Sequence, residues 1–540
     1  MNEEPGVGRR RWNGWGSEGT DYPLRPRALA YLEEVLGGAG TILPDADLAS
    51  VISKVPPSRL PSHPLVSTDA ETRIRHARGQ SFPDWVAMRS GDFGHFPDGV
   101  ALPSTSDEVG EVLRWAYGQG YAIIIYGGGT SVAGHVTVPP SPKPVLTLSL
   151  ERMDKLLALD EESQIAAFGA GTPGPSLERQ LDRHGFVLGH YPQSWELSTV
   201  GGWVASRSSG QQSLRYGRIE QLFAGARVET PQGTMTVTGV PASAAGPDLR
   251  EMVLGSEGRI GAITEVKLRV SRQPEHESFH VGFAPNWGAG LALVRELIQS
   301  RTPLSMLRLS NPAETVSHLA LAADHRGFGL FDRAISALGA KPGERCMIAY
   351  GITGSHRQAG FARREANRLI GRAGGVALAS SVMGRLWEHS RFRSPYFRNG
   401  LWERGYSVDT LETAVNWSKT NKAMSAIEQA IKEAAQGEPT LIFSHLSHMY
   451  SQGCSIYTTY IFKNAGSYGA LLERWKRYKH AASEAIVAAG GTISHQHGVG
   501  RDHAPWLKYE KGEQGMGAIR ALTGYFDPDS NLNPGCLLEE

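Results

Sequence analysis

Cysteine is scarce in this chain: three in 540 residues, Cys346, Cys454 and Cys536. They lie far apart and none falls in a CxxC pair. That argues against a disulfide framework or a zinc ribbon and for a reducing, cytosolic compartment. Long apolar runs are missing too. The longest aliphatic burst, Ala122 to Ile125, is strand-sized, far short of the about 18–20 residues that span a bilayer. Neither sign of charge is in excess. Lys and Arg total 55 against 54 Asp and Glu, a formal net charge of +1, whereas a dedicated nucleic-acid binder carries a basic surplus. The N-terminal arginines run into Trp, Asn and Gly rather than an apolar stretch, so neither a secretory nor a twin-arginine leader is expected. The C-terminal Cys536-Leu-Leu-Glu-Glu540 is not a peroxisomal Ser-Lys-Leu ending.

What is present is a folded chain rich in turns. Hydrophobic residues make up 40% and charged residues 20%, and 64 Gly and 31 Pro are spread along the length. Residues 1–95 read as an extension with one helical stretch near Pro26 to Leu36. Residues 96–275 alternate strands and helices. Ser104 to Glu108 offer cap hydroxyls and first-turn acids, and Val109, Val112, Leu113 and Ala116 then recur on one helical face. A buried strand over Tyr121 to Tyr126 follows. Further strands are predicted at Val145 to Leu148, Gln164 to Phe168, Gln221 to Thr230 and Ile263 to Val270. Residues 276–490 predict a second, α+β unit. Its helices are expected at Gly290 to Ser300, Leu411 to Ala435 and Tyr468 to Ala489, and its strands at Cys346 to Gly351 and Ser455 to Phe462. Residues 491–540 hold His- and Gly-rich loops and a helix near Gly515 to Phe526.

The strand ending at Tyr126 runs straight into Gly127-Gly128-Gly129-Thr130-Ser131. Consecutive glycines let backbone N–H groups turn inward, a nest that holds phosphate oxygens without a side-chain cation. Gly169-Ala-Gly171-Thr-Pro-Gly174 matches GxGxxG, but Pro173 and Pro175 remove N–H groups a pyrophosphate would use, so it is read as a structural turn. Polar, Gly-rich segments recur at His190 to Gly202 and Leu254 to Ile263. Together they suggest a large ligand held mainly by backbone. His495 and His497 stand at i, i+2 on an extended segment and share a face. No third ligand stands at an obvious spacing, Asp502 and His503 lying beyond two glycines, and no metal is expected.

The GGGTS, STVGGW and GSEGRIGAIT segments resemble the FAD-binding domain of the vanillyl-alcohol-oxidase/PCMH-type flavoprotein family. Narrower segments resemble its alkyldihydroxyacetonephosphate synthase (alkylglycerone-phosphate synthase) branch. These are Arg11-Trp-Asn-Gly-Trp-Gly16, Tyr216-Gly-Arg-Ile-Glu220, Leu411-Glu-Thr-Ala-Val-Asn-Trp417, Ser455-Ile-Tyr457 and Ile493-Ser-His-Gln-His-Gly-Val-Gly500. The resemblance implies an α+β chain: a PCMH-type FAD-binding domain of two α/β subdomains, an α+β cap domain, and C-terminal helices returning to the FAD domain. It implies that Ile125, Tyr126, Gly127, Gly128, Gly129, Thr130 and Ser131 cradle the pyrophosphate. Gln193, Ser194, Ser198 and Thr199, with Ser206, Arg207, Ser208 and Ser209, would line the flavin. Glu257, Gly258, Gly261 and Ile263 would hold the adenine–ribose side. Thr130 stands where several relatives carry a flavin-linked His, so FAD is expected to bind non-covalently.

The branch exchanges the acyl chain of acyl-dihydroxyacetone phosphate for a long-chain alcohol without net redox. That chemistry needs a base, a cation for phosphate, and donors for developing enolate-like charge. By resemblance Tyr457 is the proton acceptor, which calls for a lowered pKa or a hydrogen-bonded partner. His495, His497 and His190 belong to the catalytic group, and Arg398 and Arg308 are the substrate-side arginines, with Arg391 and Arg393 as alternatives. Gln496 departs from the branch, which has a His triplet here. The Trp12–Trp15 pair either anchors the N-terminal arm or lines an acyl channel. Two rivals follow. One is an FAD-linked 2-hydroxy-acid dehydrogenase of the D-lactate or glycolate type; the other is a flavin-binding scaffold without chemistry. A lipid substrate implies peripheral membrane contact, and the family's habit implies a homodimer.

Overall fold

The computed structural model describes residues 8–322, 335–336, 339–378, 384 and 391–539. Thr105 caps the helix Ser106–Gly118 by accepting from Glu108 N, and the helix buries Val109, Val112, Leu113 and Ala116 as the sequence predicts. That face joins Ile123, Leu146 and Leu148 in one core. These come from a four-stranded sheet ordered Val66–Ser67, Gly99–Ala101, Val145–Ser149, Ala122–Tyr126, whose last three strands are parallel. A parallel strand covered on both faces reads as an unbroken apolar run, hence Ala-Ile-Ile-Ile. The glycine loop leaves the carboxyl end of this strand, the usual ligand side of such a sheet. The chain's C-terminal segment returns to the same strand: Ile123 N donates to Asn531 O at 2.7 Å and Asn533 N to Ile123 O at 2.8 Å.

A five-stranded antiparallel sheet follows, ordered Leu156–Asp160, Ile165–Gly169, Ala262–Arg269, Phe223–Thr230, Gly233–Val237. The expected strand start at Gln221 moves to Phe223, because Ile219–Leu222 form a helical turn.

The third sheet has seven antiparallel strands in the order Val376–Ala377, His276–Ala284, Cys346–Gly354, Met306–Ser310, Thr440–Leu446, Gly453–Lys463, Tyr406–Asn416. Alternation along Gly453–Lys463 sends Ile456, Tyr460 and Phe462 into cores and turns Tyr457, Thr459 and Ile461 to a cavity. Here one prediction is corrected. Leu411 to Ala435 is not one helix: Tyr406–Asn416 is the edge strand, and the helix is Thr420–Ala434. Leu411 and Val415 stand four apart, a spacing that satisfies both the helical and the strand period, and the β-branched Thr413 and Val415 favour the strand.

The helix Tyr468–Ala489 forms as predicted. The last helix is longer than expected, Ala504–Phe526, and breaks at Gly512 (φ 65°, ψ 175°). In the N-terminal arm the two tryptophans part company. Trp12 stacks on Phe93 with centroids 6.4 Å apart, while Trp15 exchanges backbone hydrogen bonds with the Asn399 amide (3.2 and 2.9 Å) and lines the cavity. Among the described residues the three cysteines are free and buried, and no helix is long and apolar enough to cross a membrane.

Candidate active site

A cavity of about 800 Å³ lies between the glycine loop and the seven-stranded sheet. Gly127, Gly128 and Gly129 form its floor against the segment 197–199. A Cβ on Gly128 would strike the carbonyl oxygen of Leu197, one on Gly127 would strike Thr199 Oγ1, and Gly129 has φ 63°. Glycine is therefore required for backbone to approach backbone here. Arg10 of the N-terminal arm donates from Nη1 to Gly128 O at 2.7 Å and clamps the loop from behind. Ser131 Oγ accepts from Ala133 N and His135 N and lies 2.5 Å from His135 Nδ1. His135 Nε2 is 3.0 Å from Glu257, whose carboxylate also accepts Val499 N (2.6 Å) and Gly500 N (2.8 Å). Glu257 thus ties the glycine loop to the returning C-terminal loop.

Most of the expected cofactor residues meet in this cavity: Ile125, Gly127 to Ser131, Gln193, Ser194, Ser198, Thr199, Ser206, Ser208, Ser209, Glu257, Gly258, Gly261 and Ile263 all line it. Two do not. Tyr126 alternates with Ile125 along its strand, so it points into the core and donates to Arg75 O at 3.0 Å. Arg207 takes the left-handed C-cap of the helix Val200–Ser206 (φ 56°), which turns its side chain outward to Glu251 at 3.0 Å. Gly171 and Gly174 pack against Leu150 and Trp195, outside the cavity wall. The cradle fits FAD: it is lined by backbone, and Thr199 Oγ1 is buried in its wall with no partner among the described residues. Such an orphaned hydroxyl calls for a ligand that hydrogen-bonds.

The opposite wall carries Tyr457. It is paired in register with Glu412 on one neighbouring strand and His445 on the other, so the three side chains form one row across the sheet. Tyr457 donates to Thr410 Oγ1 at 3.0 Å, and its ring stacks on His445 (5.0 Å, 20°) and meets His497 edge-on (5.8 Å, 80°). Burial, with Glu412 and Asp409 adding to it, pushes the phenol up to about 12. Of the two conditions for a Tyr457 base, the structure supplies the hydrogen-bonded partner, Thr410, and not a lowered pKa.

Glu412 lies beneath the loop after Ile493. Its Oε1 accepts three successive backbone N–H groups, from His495 (3.0 Å), Gln496 (2.7 Å) and His497 (3.0 Å). His495 Nδ1 is 3.2 Å from Oε2 and His497 Nδ1 3.6 Å from Oε1. Burial would raise this carboxyl, but the two histidines and the N–H groups hold it well below the usual carboxylate range. The segment bends at 495–497 instead of running extended, so the two histidines do not share a face as their spacing predicts: only His497 and Gln496 reach the cavity wall. His495 lies behind, with Nε2 2.6 Å from Tyr450 OH. His190 is also behind the wall: Nε2 meets Ser208 Oγ at 2.7 Å, and burial pulls it down to about 3, so it is neutral.

The two arginines differ. Arg308 is occupied, with Nη2 2.7 Å from Glu314 Oε1 and 3.1 Å from His445 Nδ1. Arg398 stacks over Trp85 at 4.4 Å and donates from Nη1 to Gln80 O at 2.6 Å. Its Nη2 is buried without a partner among the described residues. Burial lowers Arg398 to about 10, which leaves it cationic at neutral pH. Of the alternatives, Arg391 sits among Tyr191, Phe279 and Phe392, and Arg393 lies over Tyr22. Sequence reasoning missed Glu314, Glu412 and His445. Only Glu412 had a signal, its place in the Leu411–Trp417 segment.

Residues 97–239 match the family described as FAD binding domain, and residues 273–537 match FAD linked oxidases, C-terminal domain. The chain is 28% identical over 98% of its length to alkyldihydroxyacetonephosphate synthase of Trypanosoma brucei brucei, covering 92% of that protein. It is 29% identical over 87% of its length to the Dictyostelium discoideum protein of the same name, covering 78% of it. A solved alkyldihydroxyacetonephosphate synthase structure superposes with a TM-score of 0.83 at 25% identity, over 97% of this chain and 98% of that one. The two matched regions contribute the two walls of one cavity, and similarity runs through both, so the chain belongs to the FAD-dependent PCMH-type flavoproteins, in their alkyldihydroxyacetonephosphate synthase branch.

Proposed function

We propose that this chain replaces the acyl chain of an acyl-dihydroxyacetone phosphate by a long-chain alcohol, giving an ether-lipid precursor with no net redox. One observation carries the reading: Tyr457, His445 and the Arg398 cation open into the same cavity as an apolar wall of Val281, Leu319, Met347, Val408, Phe443 and Ile461. A small hydroxy acid needs no such wall. An alkyl chain does, since each buried methylene contributes about 0.8 kcal/mol. Arg398 presents its free Nη2 to the phosphate, and charge-assisted bonds to phosphate oxygens are the strong kind. Tyr457 donates its O–H to oxygen that becomes negative as the substrate carbon loses its proton. His497, kept neutral because burial lowers its pKa, is free to take a proton. His190 holds Ser208 on the cofactor side, and Arg308 positions His445. FAD, held non-covalently with Thr130 in the loop, would supply the electron sink for the substrate carbon. The chain's substrates enter from a lipid surface, which places it in peripheral contact with a membrane. A homodimer belongs to the same proposal.

Gln496 favours a second reading, an FAD-linked 2-hydroxy-acid dehydrogenase. Its amide lines the cavity where the branch has a third imidazole, and an amide cannot carry protons. One experiment separates the two. The visible spectrum of the anaerobic FAD-loaded protein is recorded with acyl-dihydroxyacetone phosphate, then with a fatty alcohol, and separately with glycolate and D-lactate. Bleaching by the acylated phosphate alone, reversed by the alcohol, is expected. Bleaching by a hydroxy acid with no response to the lipid contradicts the synthase reading.

A further inference from the structure

We infer that His445 is the acceptor for the hydroxyl of the incoming alcohol, and that the sheet face beside it sets the direction in which the alkyl chain lies. The inference rests on the exchange reaction proposed above and names the site of its second substrate.

The ring is aimed by two buried neighbours. Nδ1 of His445 lies 2.8 Å from Glu314 Oε1. Burial would raise Glu314, but Arg308 and His445 hold its carboxyl well below the usual carboxylate range, so its oxygens only accept. Two acceptors do not meet at 2.8 Å without a hydrogen between them, so Nδ1 carries the proton and donates it. Arg308 Nη2 stands 3.1 Å from the same nitrogen, but it has its own bond to Glu314 Oε1 at 2.7 Å. His445 is neutral, burial and then Arg308 pulling it down to about 4. A neutral imidazole with its proton on Nδ1 keeps a lone pair on Nε2. The residue lines the cavity, and Nε2 has no hydrogen bond among the described residues.

The chemistry of the reactants selects the occupant. Acyl-dihydroxyacetone phosphate presents an ester, a ketone and a phosphate, and no hydroxyl. The fatty acid that leaves is a carboxylate. All of these groups are acceptors, and a lone pair on Nε2 offers them nothing. The alcohol is the one reactant that brings an O–H donor. The ring stack of His445 on Tyr457, 5.0 Å between centroids, keeps that hydroxyl beside the group that acts on the substrate carbon. His318, the other imidazole near Glu314 at 3.6 Å, has a side chain 43% exposed, so water competes for it.

The sheet then orders the tail. Cross-strand register puts His445 beside Tyr457 in one row, Phe443, Thr459 and Thr410 in the next, and Ile461 and Val408 in the third. All of them line the cavity. Rows on one face are two residues apart, about 7 Å. Polarity falls from row to row: an imidazole and a phenol, then two threonines and a phenyl ring, then aliphatic carbon alone. A hydroxyl at His445 therefore lays the alkyl chain over Phe443 toward Ile461 and Val408, where burying its methylenes is favourable.

The test compares 1-octanol with 1-methoxyoctane, which keeps the chain and the oxygen but lacks the O–H. Isothermal titration of the FAD-loaded wild type should show the alcohol binding about 2- to 10-fold tighter, the range of one net hydrogen bond. His445→Asn keeps an amide that donates to Glu314 from the Nδ1 position and has nothing at the Nε2 position, so it should bind both ligands alike. His445→Gln puts an amide oxygen near the Nε2 position and should restore the preference. In turnover, His445→Asn should raise KM for the alcohol by the same factor and leave KM for acyl-dihydroxyacetone phosphate unchanged. A ring that merely packs the wall would weaken both ligands equally. That result overturns the inference, as does a preference that His445→Asn retains, or no preference in the wild type. If His445→Asn does not fold, nitrogen-15 histidine NMR of the wild type decides. It should show the Nδ1–H tautomer and an Nε2 shift with 1-octanol that 1-methoxyoctane does not cause; absence of that shift overturns the inference. Binding needs no turnover, so the two readings part. A protein with the expected preference that oxidises hydroxy acids and makes no ether refutes the proposed reaction alone. A protein that makes ether while binding both ligands alike refutes this inference alone.

Discussion

Replacing Tyr457 by Phe is expected to leave FAD bound and the fold intact while turnover falls by about 10²–10⁴-fold. The substitution removes one hydroxyl, whose structural partner is Thr410 Oγ1 at 3.0 Å. A neutral hydrogen bond of that kind contributes about 1 kcal/mol to stability. The ring remains, and so do its stack on His445 and its edge contact with His497. The phenol is held at about 12, so what is lost is a donor rather than an anion. Flavin absorbance after gel filtration and the rate of ether formation measure the two halves of the expectation. A Tyr457→Phe protein with a wild-type rate would remove Tyr457 from the chemistry.

Arg398→Ala is expected to raise KM for the phosphorylated substrate by about 10- to 100-fold, the equivalent of a lost charge-assisted hydrogen bond of about 1.5–3 kcal/mol. The half of the guanidinium that faces the protein is already satisfied by Gln80 O and the Trp85 ring, while Nη2 has no partner among the described residues. Arg398 loses its charge only as pH rises through about 10, so the effect of the variant should be constant across the neutral range. A substrate analogue without phosphate serves as the control, binding wild type and variant alike. An unchanged KM for the phosphorylated substrate would move the phosphate to another cation. Arg308 is a poor alternative, because Glu314 at 2.7 Å already neutralises it.

The cofactor wall was legible in the sequence because its parts are local. A strand, three glycines and a hydroxyl pair follow one another in the chain, and the fold leaves them together. What local sequence could not show is which side of a strand faces which wall until pairing fixes it. Tyr126 was expected in the cradle and lies beneath it, one residue out of phase with Ile125. Arg207 was lost to a backbone conformation, the left-handed cap. The catalytic wall was harder. Glu412, Tyr457 and His445 become neighbours only because the strands Tyr406–Asn416, Gly453–Lys463 and Thr440–Leu446 lie side by side in that order. Sequence spacing does not encode that order, and reading Leu411 as helical left Glu412 with no signal beyond its place in the Leu411–Trp417 segment. Arg308 shows the reverse error. The residue is in the cavity wall, but its charge is taken by a glutamate six positions on, which a motif match does not reveal.

The most direct measurement is product analysis on the purified FAD-loaded protein, given acyl-dihydroxyacetone phosphate and a fatty alcohol with no electron acceptor. One ether-linked product and one free fatty acid should appear for each substrate consumed, with the flavin oxidised at the end as at the start. Absence of the ether product, together with reduction of an added electron acceptor by a 2-hydroxy acid, would contradict the assignment and make the chain a dehydrogenase.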